Sequence, residues 1–127
     1  MISEFRKWLK QQVAALDFDK AFDFMPAEMR WDTALVIGDI VDKGTADHGL
    51  DLIFTRSVTV WSLCKIKDNK RAEAEERAEE LSRDVLDTLG ESTYSWNIIT
   101  RKSIGYTIGQ FTFQAIEMNL EFYDVED

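Results

Sequence analysis

The chain has 127 residues, 45% of them apolar, and its 24 acidic against 15 basic side chains leave a formal charge of -9. That length suits one domain, expected over residues 1–127, and the apolar share is enough for a core hiding roughly two thirds of the surface of the unfolded chain. The negative field repels phosphate backbones and anionic lipid, which argues against sequence-reading nucleic-acid binding and against membrane attachment. No apolar run approaches the ~20 residues of a bilayer span.

The first ten residues place charges among the apolar positions, so the uninterrupted apolar stretch of a secretion signal is missing and the mature chain is expected to start near Met1. Cys64 is the only cysteine, which excludes an internal disulfide and suits a reducing, intracellular setting. Its apolar strand context reads as a buried, inert thiol.

From 3 to 16, Phe5, Trp8, Leu9, Val13 and Leu16 recur at helical spacing, with Ser3 placed to cap the start. Residues 17–32 carry Phe18, Phe22, Phe24, Met25, Met29 and Trp31 without a period, and read as a loop holding one short helical turn begun by Pro26. So large an apolar load must pack on the domain or on a neighbour. Residues 33–41 form a β-branched strand, and 42–50, with Gly44, Gly49 and two aspartates, a reversal into a second strand over 52–66. That second strand is apolar on both phases at its middle and therefore covered on both faces.

Asp68 and Asn69 offer a cap for a helix over 70–89, whose stripe of Ala74, Ala78, Leu81, Val85 and Leu89 is closed by Gly90. Glu73 with Arg77 and Glu79 with Arg83 are spaced to pair one turn apart, so the acidic run from Glu73 to Glu80 reads as a solvated face. A strand over 93–100, a turn at 102–105 and a final extended stretch over 108–125 follow. In that stretch the apolar phase slips by one residue at Ala115, which a β-bulge or a switch of buried face would produce. At on the order of 50 Å it exceeds the usual strand length, so it must bend, break or reach past its own domain. The fold class expected is α+β, with two helices packed on a mainly antiparallel sheet of about four strands.

Catalytic apparatus is missing from this reading. His48 is the single histidine, no Cys/His cluster exists for zinc, and Gly38, Gly44 and Gly49 match neither nucleotide-binding fingerprint. Ser57 and Ser62 lie in a strand without nucleophile-elbow context. Asp39, Asp42, Asp47, His48 and Asp51 gather around the hairpin, where they serve either as turn residues or as oxygen ligands for a hard cation. Trp8, Trp61, Trp96, Phe111, Phe113 and Phe122 sit on apolar phases and read as core. No enzyme activity, cofactor or metal is assigned.

The order of elements resembles that of phage tail-terminator or tail-completion proteins. It comprises an N-terminal helix and a hairpin whose second strand reads Ser57-Val58-Thr59-Val60-Trp61-Ser62. A helix with Ala74, Ala78, Leu81, Val85, Leu86 and Leu89 follows, and then a closing strand over 112–124. The resemblance covers nearly the whole chain and lies in pattern, not in a signature motif. It implies a structural virion protein, assembled in the host cytoplasm, that forms a hexameric ring on the tail tube and ends tube polymerisation. The ring would also join the tail to the head connector and let DNA through its lumen without specific binding. Its partners would be copies of itself, the tail tube protein and the connector protein. The interface candidates on this reading are Phe22, Phe24, Met25, Met29, Trp31, Trp61 and Phe122. The lumen-facing acidic candidates are Asp39, Asp42, Asp47 and Asp51. Another neck or connector protein, or a small acidic cation-binding or adaptor domain docking a basic partner through 70–89, are the alternatives. The assembly reading supposes that the apolar surface of the sheet exceeds what two helices can shield.

Overall fold

The computed structural model describes residues 2–47, 51–92 and 94–125, with side chains described for all of these except 44–54 and 124–125. Its elements are α1 (Ile2–Gln12), β1 (Lys20–Phe22), β2 (Thr33–Asp47), β3 (Asp51–Lys65), α2 (Arg71–Leu89), β4 (Ser95–Ile108) and β5 (Phe111–Val125). The fold is α+β, with one five-stranded mixed sheet in the order β1-β2-β3-β5-β4. The fifth strand is β1, which pairs parallel to β2 inside the stretch expected to be a loop. Its three residues are too few for periodicity to reveal. No helical turn forms at Pro26.

Two turns are placed differently from expectation. β4 runs unbroken through 102–105, and the reversal falls at Gly109, whose φ of 61° is the left-handed geometry glycine adopts without cost. β2 continues to Asp47, so the hairpin turn itself, with His48, lies outside the described residues. The long final strand neither breaks nor reaches past its sheet: β5 is matched by β3 and β4, of 15 and 14 residues, and pairs with both. No register shift occurs at Ala115. The phase slip there is a switch of buried face, because Phe113 and Ala115 pack on one side and Ile116, Met118, Leu120 and Phe122 on the other.

Both helices cover the same face. Phe5, Leu9 and Val13 of the N-terminal segment and Ala78, Val85 and Leu89 of α2 enclose Leu35, Ile37, Val58, Val60, Met118, Leu120 and Phe122. Burial of these side chains, ~1.5–3 kcal/mol for each one larger than alanine, is the main term holding helices to sheet. α1 ends at Gln12 instead of 16, and its apolar face continues through tighter turns in which Ala14 N–H bonds Gln11 O and Leu16 N–H bonds Val13 O. Ser3 lies inside the helix, so it is not the cap. Asp68 and Asn69 do not cap α2 either. Both have positive φ, 52° and 60°, and turn the chain, while Lys70 holds the N-cap position without a side-chain bond. Gly90 closes α2 in right-handed geometry, its N–H bonding Leu86 O.

The second face divides along its length. Ala34, Val36, Leu63, Phe113 and Ala115 are covered by the chain's own Met25, Met29 and Trp31. Further along the same face the side chains are polar and bond one another: Thr59 to Asn119 at 2.6 Å, Asn119 to Thr100 at 2.6 Å, and Lys102 to Glu117 at 3.0 Å. Among the described residues the expected surplus of bare apolar sheet is therefore not there. The segment over 22–31 supplies the cover that the helices do not.

Candidate functional site: the open edges of the sheet

Among the described residues no strand lies on the outer side of β4. Its 14 residues include Arg101 and Lys102 but no acid and no proline, so the outward backbone N–H and C=O groups form a long template for another strand. Ile98 and Ile99, 36% and 53% exposed, flank a bulge between Ile98 and Thr100. The two bases are held back from the edge. Arg101 donates to Ser82 Oγ at 2.7 Å and lies 3.9 Å from Glu79 on α2, while Lys102 pairs with Glu117 on β5.

The other edge is treated differently. β1 covers only residues 34–36 of β2. Next to it a bulge between Ile37 and Ile40 turns two consecutive carbonyls outward, and Arg6 of α1 satisfies both, Nη1 donating to Ile37 O at 2.7 Å and Nη2 to Gly38 O at 2.7 Å. Nη1 also donates to Asp23 O at 2.6 Å, and the guanidinium stands 4.4 Å from the centroid of Phe24. A planar fork of donors suits this task in a way an ammonium does not. Beyond Arg6, Asp39, Val41 and Lys43 are exposed along the rest of the edge.

The interface candidates divide accordingly. Phe24 is exposed at 59% beside Arg6. Phe22, Met25 and Trp31 are half-buried against the second core cluster, with the Phe22 and Trp31 rings edge to face at 5.7 Å. Trp61 is half-buried, its indole N–H donating to Glu117 at 3.0 Å. Met29 and Phe122 are 4% and 0% exposed, so both are used inside the protomer and leave no surface for a partner. Phe111, expected in the core, is 43% exposed under the Lys65 ammonium, 3.9 Å from its ring centroid. With Met29, Trp31 and Ile108 it lines a groove of about 680 Å³ beside the β4–β5 turn.

The hairpin acids do not act as a group. Asp39 is exposed, but Asp42 receives two bonds from Arg56, Nε at 3.0 Å and Nη2 at 3.4 Å, and so is engaged within the protomer. Asp47 and Asp51 are paired in the β2–β3 ladder, and their side chains lie outside the described ones. Among the described residues no three His, Cys, Asp or Glu side chains come together as a metal cluster.

Arg56 itself is 1% exposed, 5.5 Å from the centroid of the Phe5 ring, and was not singled out from the sequence. The signal was present: Arg56 falls on the same strand phase as Val58 and Val60, where a charge has to bring its own counter-ion. On α2, Arg83 pairs with Glu79 as spaced, but Arg77 reaches Glu80 and Asp17 instead of Glu73. Cys64 is half-buried, not fully; burial pushes its thiol above the ordinary value, an effect the nearby Arg77 opposes.

No model of a known protein family matches the chain, and no curated protein matches it. Among the described residues no helix is long and apolar enough to cross a membrane.

Proposed function

We propose that this chain is a structural subunit that assembles with copies of itself through the open edges of its sheet. The ring it forms would be of the kind made by phage tail terminators. In that role it caps the tail tube, ends its polymerisation and meets the head connector, while DNA passes a lumen that does not hold it. The observation that supports the reading is β4: a full-length edge strand with no proline, no acid and two exposed isoleucines. A small protein that stays alone blunts such an edge, as Arg6 and β1 blunt part of the opposite one. The net charge of -9 is compatible with a lumen that does not retain phosphate.

Light scattering coupled to size exclusion, followed by electron microscopy of the assembled fraction, tests this. A ring of several subunits that stops the growth of purified tail tubes is the expected result. A chain that remains monomeric at millimolar concentration and leaves tube growth unchanged overturns it.

A further inference from the structure

We infer that β4 of one subunit docks antiparallel against the β1–β2 edge of the next, at the same height along the strands. This rests on the ring reading above and names the interface within it.

Strand direction is the first support. β1 and β2 are parallel, and each of the next three pairings is antiparallel, so β4 runs opposite to β1. A neighbour rotated about an axis along the strands therefore presents β4 antiparallel to β1 and continues the sheet with both faces preserved.

Height is the second. One ladder row crosses the whole sheet through Phe22, Val36, Trp61, Glu117 and Lys102. A second runs through Ile40, Val58, Leu120 and Ile98, so the bulges of the two edges lie level with each other, and because Arg6 holds Ile37 O and Gly38 O there, the backbone ladder with β4 is confined to β1. Pairing without sliding sets Lys102 of one subunit beside Phe22 of the next, and Arg101 beside Asp23, the residue that follows β1. Asp23, which pairs with Lys10 at 3.3 Å, and Asp39 are exposed on an edge that would face a strand with no acid. The two bases of that strand, Arg101 and Lys102, would add a second acidic neighbour to the ones they hold on their own subunit. A head-to-tail contact with no rise along the strands closes as a ring when each step also turns by a whole fraction of a full rotation.

The competing arrangement, two β4 edges paired about a two-fold, puts one residue opposite itself at the axis. In the fullest overlap that residue is Arg101 or Lys102, and like charges directly opposite are unfavourable.

Two charge variants test the assignment: Arg101→Glu with Lys102→Glu, and Asp23→Lys with Asp39→Lys. Each alone is expected to lose the assembled mass seen for the natural chain, and a one-to-one mixture to regain it, because every β4 then meets an oppositely charged edge. Circular dichroism confirms that each variant is folded.

Cysteine pairing gives a readout independent of charge. Lys20 and Ile104 end another row, through Ala34, Leu63 and Ala115. In a Cys64→Ser background, a mixture of Lys20→Cys and Ile104→Cys chains should form disulfide-linked dimers, whereas Arg101→Cys alone and Lys102→Cys alone, the positions that meet themselves in the two-fold arrangement, should not. Dimers from Arg101→Cys or Lys102→Cys alone, or assembly unaffected in both charge variants, overturn the edge assignment while the ring stands. A natural chain that never assembles and leaves tube growth unchanged overturns both.

Discussion

The indole of Trp61 lies against Gly38 so closely that a Cβ added to the glycine would sit 2.8 Å from its Cη2 and 3.2 Å from the backbone oxygen of Thr59. The ring cannot give way easily, because its N–H is held by Glu117 and its edge packs on Tyr106 at 6.2 Å. Gly38→Ala should therefore destabilise the fold by ~1–3 kcal/mol, the usual cost of overpacking. Urea unfolding measures this, and replacing Trp61 by leucine in the same chain should recover part of the loss.

Arg56 and Asp42 form a pair whose basic member is almost fully buried. Asp42→Ala takes two hydrogen bonds from a buried guanidinium that keeps its other contacts, so it should cost ~1–3 kcal/mol. Exchanging both residues, with Arg56→Met and Asp42→Leu, should bring stability back toward that of the natural chain. Chemical denaturation of the two single variants and the double variant separates the coupling from the singles.

Arg6 joins α1, the bulge of β2 and the segment after β1 through three carbonyls. Arg6→Ala should lower stability by ~2–3 kcal/mol, since hydrogen bonds to a charged group contribute more than neutral ones and three acceptors lose their donor. Arg6→Lys should recover only a minority of this, lacking the fork. Limited proteolysis should show faster cleavage within 23–32 in both variants.

Burial raises the thiol pKa of Cys64. Alkylation by iodoacetamide at pH 8 should be slower than for a small free thiol and should speed up on unfolding in urea. The sign for stability follows. The unfolded thiol ionises first as pH rises, so the unfolded state binds fewer protons in that window. The contribution of Cys64 is then present below the unfolded pKa and is lost as pH climbs toward the folded one. Cys64→Ser should flatten the part of the stability profile that begins at the ordinary thiol pKa and runs upward from it.

How much was legible in the sequence differs from element to element. α2 and the strands of the hairpin were readable because Ala74, Ala78, Leu81 and Val85 repeat at 3.6, and because β-branched residues fill 33–41. β1 was not readable: Lys20–Phe22 is a strand only because β2 lies alongside to accept it. The same applies to the middle of β4, since 102–105 reads as a turn by composition but is held extended by pairing with β5 along the 14-residue strand. Phe122 and Met29 were placed at an interface because apolar character in sequence does not say which surface will cover it.

The amino-acid order alone determined the α+β class, the sequence of helices and long strands, and the switch of apolar phase at Ala115, for these depend on local periodicity and residue type. Tertiary structure decided which apolar groups remain outside, that Asp42 is engaged by Arg56, and that one edge is guarded by Arg6 while β4 is left open. Those outcomes depend on which strands become neighbours, and strand neighbourhood is a long-range choice that no local pattern encodes.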